Sequence, residues 1–370
     1  MGKTQTDNRP RFGEGTNAFV FRQLRADVVR IVEELEPQRQ WEIRIKALLL
    51  PLIYLSVWLS ALVWGKQYPA VYFVAYLSMG LLIVIIFLNV VHDAVHGTIF
   101  RSRRLNEIFV HLFDLVGANS FIWKMRHIRF HHNYPNVNGW DTDVDQSTIL
   151  RIFPSATYHR FHKYQHIYLP FIYPLFLFNW LIIRDFRDFF SAKKTVRKLI
   201  RIPFEEYVKL FLFKGFFFFY TILLPKILLH ISWGQAIGGF VIMVFAASLF
   251  SLVVLLPAHA NTESAFPLPD EENTLPESWF MHMLITTNDV QETNWFVRTV
   301  LGNFNYHVAH HLFPNVSNVY YPEITSQLQR YAEEYNLPYR RLPLGVALKK
   351  HFELIRDNSL QDFDIWEESM

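Results

Sequence analysis

Residues 68–96 read YPAVYFVAYLSMGLLIVIIFLNVVHDAVH. Residues 68–91 carry no charge, and the apolar run ends directly on His92. A helix of about 20 apolar residues crosses the hydrocarbon core of a bilayer. The stretch therefore reads as a membrane helix that delivers a histidine to the membrane surface. His96 follows four residues on, and on a helix that spacing places both imidazoles on one face.

Two further windows repeat the pattern. HIRFHH supplies His127, His131 and His132, and HVAHH supplies His307, His310 and His311. Eight of the 16 histidines thus fall within three short windows. Each window is expected to aim two or three imidazoles at one point. Imidazole is the commonest protein ligand for transition metals, and eight exceed what one ion can use. The pattern predicts a two-metal site.

The composition fits a membrane protein. The chain is 51% hydrophobic and only 19% charged, below the ~25% of ordinary soluble domains. Four spans are predicted, at about 47–64, 68–91, 207–229 and 236–257, with Lys214 and Lys226 of the third expected to snorkel toward opposite interfaces. A fifth apolar run, 167–183, is short and contains Pro170 and Pro174. One metal site needs all three windows on the same side, so an even number of crossings must separate the first from the third. The run 167–183 is accordingly expected to be interfacial or re-entrant. Segment 184–201 holds seven Lys or Arg, and the positive-inside rule puts the histidines in the cytoplasm. The net charge of +3 carries no nucleic-acid motif with it, and the basic face is expected to meet lipid headgroups.

Residues 1–15 are expected to be a disordered N-terminus, 16–356 one domain and 357–370 a tail. Within the domain, 17–36 reads as an amphipathic helix with Phe19, Leu24, Val28, Ile31, Val32 and Leu35 on one face. No cleavable signal peptide is apparent. EITSQLQRYAEEY and VALKKHFELI have helical patterns that suit a cytoplasmic cap. The predicted fold class is an all-α integral membrane protein: four transmembrane helices, interfacial helices and a cytoplasmic helical cap holding the histidine site.

The absence of cysteine excludes disulfides, thiolate-bound clusters and cysteine nucleophiles. All-nitrogen ligation suits iron, copper, zinc or nickel. The HExxH zinc-protease motif is absent, and adjacent pairs such as His131–His132 have no use in a bis-haem protein. A histidine-rich di-iron site at the membrane face remains, with dioxygen attack on an unactivated C–H bond as its natural chemistry.

The chain resembles the membrane fatty-acid desaturases over most of its length. NVVHDAVHGTIF (89–100) is similar to the family's HDxxH box, WKMRHIRFHHNYPNVNGWDTDVD (123–145) to its HxxxHH box, and GNFNYHVAHHLFPNVSNVYYPEI (302–324) to its HxxHHLFP box. PAHANTESAFP (257–267) resembles the stretch before the third box. The resemblance implies a ninth ligand, His259, beside His92, His96, His127, His131, His132, His307, His310 and His311. It also implies that Asp93, Asn136, Asp141 and Asp143 orient the imidazoles, a ligating histidine usually donating its other N–H to a carboxylate or carbonyl. His282 is expected to be a supporting or substrate-lining residue. His111, His159, His162, His166, His230 and His351 match no box and are expected at the interface or surface. Front-end members carry Gln at the first position of the third box, where this chain has His307, so the bond position stays open.

The implied reaction uses two iron ions and dioxygen as co-substrate to place a cis double bond in a long-chain acyl group, carried by coenzyme A or by a lipid. No flavin or nicotinamide fingerprint and no cytochrome-b5-type sequence lies within these residues. A separate ferredoxin or cytochrome b5 donor, with its reductase, is therefore expected. A hydroxylase or epoxygenase on the same scaffold is the alternative enzyme. A metal carrier is the non-enzymatic one, but it should show ionisable residues near the midplane of its spans.

Overall fold

A computed structural model describes residues 9–15, 17–145 and 147–360. Among the described residues five helices are long and apolar enough to cross a membrane. They are α1 (Ala18–Trp64), α2 (Pro69–Val95), α4 (Arg160–Leu199), α5 (Phe204–Leu229) and α6 (Trp233–His259). Between α2 and α4 lies α3 (Ser120–Arg126), which continues as a π-helical turn, His127–His131. The C-terminal third supplies α7 (His307–Leu312), α8 (Tyr321–Glu334) and α9 (Leu344–Asp357). Among the described residues strand content is limited to two parallel two-residue pairs, β1 (Arg11–Phe12) with β2 (Thr274–Leu275) and β3 (Asp289–Val290) with β4 (Arg341–Leu342). The fold class is the predicted all-α membrane architecture.

Local chemistry explains the helix ends. Pro69 opens α2, where its missing N–H has no helical partner to lose. Ser232 caps α6 in a reciprocal capping box with Gln235. Small residues let the central helices touch. A Cβ on Gly80 of α2 would lie 2.2 Å from the Met243 carbonyl oxygen of α6, and one on Gly239 would lie 2.6 Å from the Tyr72 ring. Close backbone approach of this kind is the usual basis of helix association in lipid.

Several expectations change. The amphipathic segment and the first span form one 47-residue helix, α1, that absorbs Pro37 and Pro51. Val20, Leu24 and Val28 are its buried residues at that end, whereas Phe19 is exposed. The N-terminal half of α1 is held against the cap. Arg39 forms a bidentate pair with Glu323 of α8, and Asp27 accepts from Gln327 and Tyr331. Arg11 and Phe12, expected to be disordered, form β1; residues 1–8 lie outside the described residues. The tail begins packed, since Asn358 donates to the Ile152 carbonyl; residues 361–370 lie outside the described ones. Lys214 does not snorkel. It is buried and donates to Asp185 at 2.9 Å and to the Gly117 carbonyl at 2.8 Å, because an unpaired ammonium inside the bundle is too costly.

α4 runs through α-helical, 3-10 and π-helical turns with a break at Ser191–Lys194. Its Tyr173 hydroxyl meets His351 of the cap, and Leu177 N–H donates to Ser248 within α6. Further on, Arg184 and Asp188 reach Asp143 and Arg126 beside the second histidine window.

Candidate metal centre

α2, α3, the end of α6 and α7 converge on one buried point. Nine histidines meet there in two groups: His92, His96, His127, His132 and His310 form one, and His131, His259, His307 and His311 the other. Within each group one ring nitrogen per residue lies within 4.8 Å of all the others. The groups abut, with the His132 and His311 rings stacked at 4.6 Å.

The sequence windows do not each serve one point. His92 and His96, four apart, do share a group. In the second window the π-helical turn changes the geometry. His132 N–H donates to the His127 carbonyl, five residues back. That turn brings His127 and His132 onto one side and rotates His131 to the other. In α7, His307 and His311 pair at the ordinary helical spacing while His310 faces the first group. Windows two and three therefore bridge the two groups, which ties their relative position to the backbone.

The chemistry of the cluster fits metal. The buried nitrogens His92 Nε2, His96 Nε2, His132 Nδ1, His307 Nδ1, His310 Nε2 and both ring nitrogens of His311 lack a hydrogen-bond partner. A buried unsatisfied polar group costs about 1–3 kcal/mol, so seven in one place need a compensating ligand. Facing imidazoles point bare nitrogens at one another: His132 Nε2 lies 3.1 Å from His127 Nε2, and His307 Nε2 lies 2.9 Å from His259 Nε2. Burial and the neighbouring imidazoles hold His96, His127, His132, His307, His310 and His311 well below the usual histidine range. The rings are neutral, with lone pairs available for an ion.

The supporting residues divide. His131 donates from Nδ1 to Asp141 at 2.9 Å, and His127 from Nδ1 to Asp143 at 3.0 Å, which leaves each Nε2 aimed inward. Burial opposes charge on His131, but Asp141, by its charge and hydrogen bond, and Asp143 lift it above the usual range. Burial works to raise Asp141, yet His131 and His259 hold it below the usual carboxylate range. Asn136 acts on the backbone instead of a ring. In a left-handed conformation (φ 58°), it donates from Nδ2 to the carbonyls of His259, Ala265 and Thr286. Asp93 lies 3.8 Å from His92 Nδ1, and its Oδ2 accepts from Ser317 Oγ and Asn318 N–H. It thereby ties the first window to the loop after the third.

Three residues that support the site, Tyr321, Thr286 and Asp289, were not legible in the sequence. Tyr321 Oη lies 3.0 Å from His310 Nδ1, and the Thr286 carbonyl accepts from His259 Nδ1. Buried Asp289 accepts from Val308 N–H at 2.7 Å and from the Tyr339 hydroxyl at 2.6 Å, anchoring the start of α7. Burial pushes that carboxyl up to about 7. None of the three has a motif. Each depends on chain segments brought together only by the fold.

The histidines outside the boxes are mixed. His282 donates from Nε2 to the Pro135 carbonyl and takes part in neither group. His159, His166 and His230 are exposed, and His111 is half-buried against Asp114. His162 and His351 are buried, contrary to the surface expectation. His351 donates from Nδ1 to the Ala260 carbonyl and receives the Tyr173 hydroxyl on Nε2. His351→Ala is therefore not neutral. It leaves two buried groups unpaired and is expected to destabilise the chain by about 1–3 kcal/mol, read as a lower midpoint of thermal unfolding in detergent. An unchanged midpoint contradicts the contact.

Beside the histidines lies a cavity of about 440 Å³, within the range of small-ligand sites. His92, His127, His131, His259 and His307 form its inner wall, and the remainder is mostly apolar, with Phe87, Trp123 and Phe304 nearest the imidazoles. The arrangement can present a methylene chain to both metal groups.

Residues 68–343 match the family described as fatty acid desaturase. The chain is 28% identical to an acyl-lipid (8-3)-desaturase of Physcomitrium patens, covering 89% of this chain and 69% of the relative. It is 25% identical to an sn-1 linoleoyl-lipid 6-desaturase of Arthrospira platensis (91% and 90%). It is 28% identical to a delta(5) fatty acid desaturase of Dictyostelium discoideum (72% and 59%). These relatives are named as desaturases, and nothing supports the hydroxylase or epoxygenase alternative. The chain belongs to the fatty acid desaturase family.

Proposed function

We propose that this oxidoreductase introduces a cis double bond into a lipid-linked long-chain acyl group. The observation that carries the reading is the apolar cavity walled by histidines of both groups. His92, His96, His127, His132 and His310 would hold one iron ion and His131, His259, His307 and His311 a second, and the pair would supply the dioxygen chemistry needed to attack an unactivated methylene. The chain's own residues bind, orient and exclude water. Asp141 and Asp143 keep protons on Nδ1 of His131 and His127, so that Nε2 faces the centre. Tyr321 and the Thr286 carbonyl do the same for His310 and His259. Phe87 and Phe304 present no competing proton donor to the substrate carbons. The lipid carrier follows the names of the Physcomitrium and Arthrospira relatives.

The same reading has four crossings, with α4 re-entrant and the histidines on the cytoplasmic side. Support comes from α4 itself. Tyr173 meets His351, which holds the Ala260 carbonyl next to His259, and Asp188 meets Arg126 next to His127. Two points of α4, Tyr173 and Asp188, thus touch the histidine face. The seven Lys or Arg of 184–201 favour the cytoplasm. The electrons are proposed to come from a ferredoxin or cytochrome-type donor with its reductase, because the histidine site itself holds no electron source and the given residues contain no cysteine for an iron–sulfur cluster.

The test is fatty-acid profiling by gas chromatography–mass spectrometry, with derivatives that locate double bonds, in a host supplying an electron donor. A new unsaturated species, absent from a host carrying the His131→Ala variant, is expected and gives the bond position. A hydroxylated or epoxidised species instead overturns the reading.

A further inference from the structure

A second hollow of about 170 Å³ lies against the apolar cavity and is polar where the first is apolar. Its lining includes Arg184, Arg187, Lys193 and Lys194 against two carboxylates, Asp145 and Asp188. Asp188 is matched by Arg126 at 2.6 Å and Arg184 by Asp143 at 3.6 Å, and the basic side chains of the lining, Lys193 and Lys194 among them, outnumber its carboxylates. The two hollows share their walls. Ile182 and Ile183 of α4 line the cavity, and Arg184 and Arg187, next along the same helix, line the cleft. In the facing loop Asp143, Val144 and Ser147 line the cavity, while Thr142 and Asp145 line the cleft. The partition between them is the Arg184–Asp143 ion pair at 3.6 Å, and Asp143 also holds His127.

The cavity opens sideways. Ile149, Leu175, Ile182 and Ile183 line it and yet are 45%, 43%, 46% and 55% exposed. Along α4 the apolar residues Phe161, Ile167 and Phe171 continue that exposed apolar surface, and Phe190 and Phe204 flank the basic segment. Exposed apolar surface bordered by aromatic and basic residues belongs at the level where acyl chains meet headgroups. A charged recess beside an apolar mouth matches an amphiphile with one anionic end.

We propose that this cleft is a headgroup site: it receives the phosphate of a membrane phospholipid whose acyl chain enters the cavity laterally, from the leaflet, between the 147–150 loop and α4. The proposal deepens the desaturase reading and rests on it for the role of the cavity. It assigns Arg187, Lys193 and Lys194 a recognition role.

Phosphate is also carried by coenzyme A, so the experiment separates the two sources. Metal-free protein in neutral detergent is titrated with palmitoyl-oleoyl-phosphatidylglycerol, with a monogalactosyl diglyceride of the same acyl chains, and with oleoyl coenzyme A. Retention is read by native mass spectrometry. The intact chain is expected to retain the phospholipid about tenfold better than the galactolipid. Lys193→Gln with Lys194→Gln removes that preference. The charge-preserving Lys193→Arg with Lys194→Arg keeps it, as does Lys163→Gln, which removes an exposed charge of α4 outside the cleft. Equal retention of both lipids by the intact chain, or an unchanged preference in the double glutamine variant, overturns the site. Displacement of the phospholipid by an equal concentration of oleoyl coenzyme A overturns the membrane-lipid source. The readout is binding, so a failure of the desaturase reading shows separately, as a missing product in the fatty-acid profile.

Discussion

His131→Ala, and separately His310→Ala, abolishes formation of the unsaturated product while the protein still inserts into the membrane. The two residues belong to different groups, His131 to the four-histidine set and His310 to the five-histidine set. Each substitution removes one nitrogen from a set that has no spare oxygen or sulfur donor. It removes little apolar volume from the helix packing, since the central core is built by Tyr72, Tyr76, Met79, Met243 and their neighbours in α2 and α6. Loss at either residue alone shows that both groups are needed. The check is the fatty-acid profile of expressing cells, with the protein quantified in the membrane fraction. Full activity in either variant contradicts the metal assignment, and loss of the protein from the membrane contradicts the claim that these histidines serve chemistry and not folding.

Asp141→Asn is expected to lower metal affinity or activity by about 10–100-fold. Asp141 is fully buried and accepts from His131 Nδ1, from the Asp143 and Val144 N–H groups, and from Asn136 N–H. An amide of the same shape offers one acceptor oxygen and turns an N–H₂ toward donors. One of these contacts is lost, and the proton on His131 Nδ1 is no longer held by a charge. Asn136 then loosens as well, and with it the carbonyls of His259 and Thr286 that it binds. Asp93→Asn makes the contrast. Asp93 lies 3.8 Å from its histidine and mainly binds Ser317 and Asn318, so its effect on metal affinity is expected to be smaller. Metal-binding isotherms of the two variants decide the ranking, and a larger effect at Asp93 contradicts it.

Much of the site was legible because spacing is a physical signal. His92 and His96 are one helical turn apart at the end of an uncharged run, and the structure places them together. The division into two groups was not legible. It depends on the π-helical turn at His127–His131, and nothing in HIRFHH announces a hydrogen bond that reaches five residues back. Lys214 and His351 were misplaced for a related reason. Sequence shows a charge in a span and a histidine in an amphipathic helix, but not the Asp185 carboxylate or the Ala260 carbonyl that each meets across the fold. Asn136 is expected from the sequence to orient an imidazole, and in the fold it donates to backbone carbonyls instead. The fold class came from long uncharged runs, which have few alternatives in water. The expectation that the 167–183 run is interfacial or re-entrant rests on a parity argument, whereas α4 is itself long and apolar enough to cross.

Nine imidazoles in two groups are expected to hold two metal ions and not one. Ferrous iron is titrated anaerobically into the metal-free protein in detergent, and bound iron per chain is measured after desalting. The account predicts two iron ions per chain, with thermal stability rising as both sites fill. Saturation at one iron per chain, or no retained iron, contradicts it.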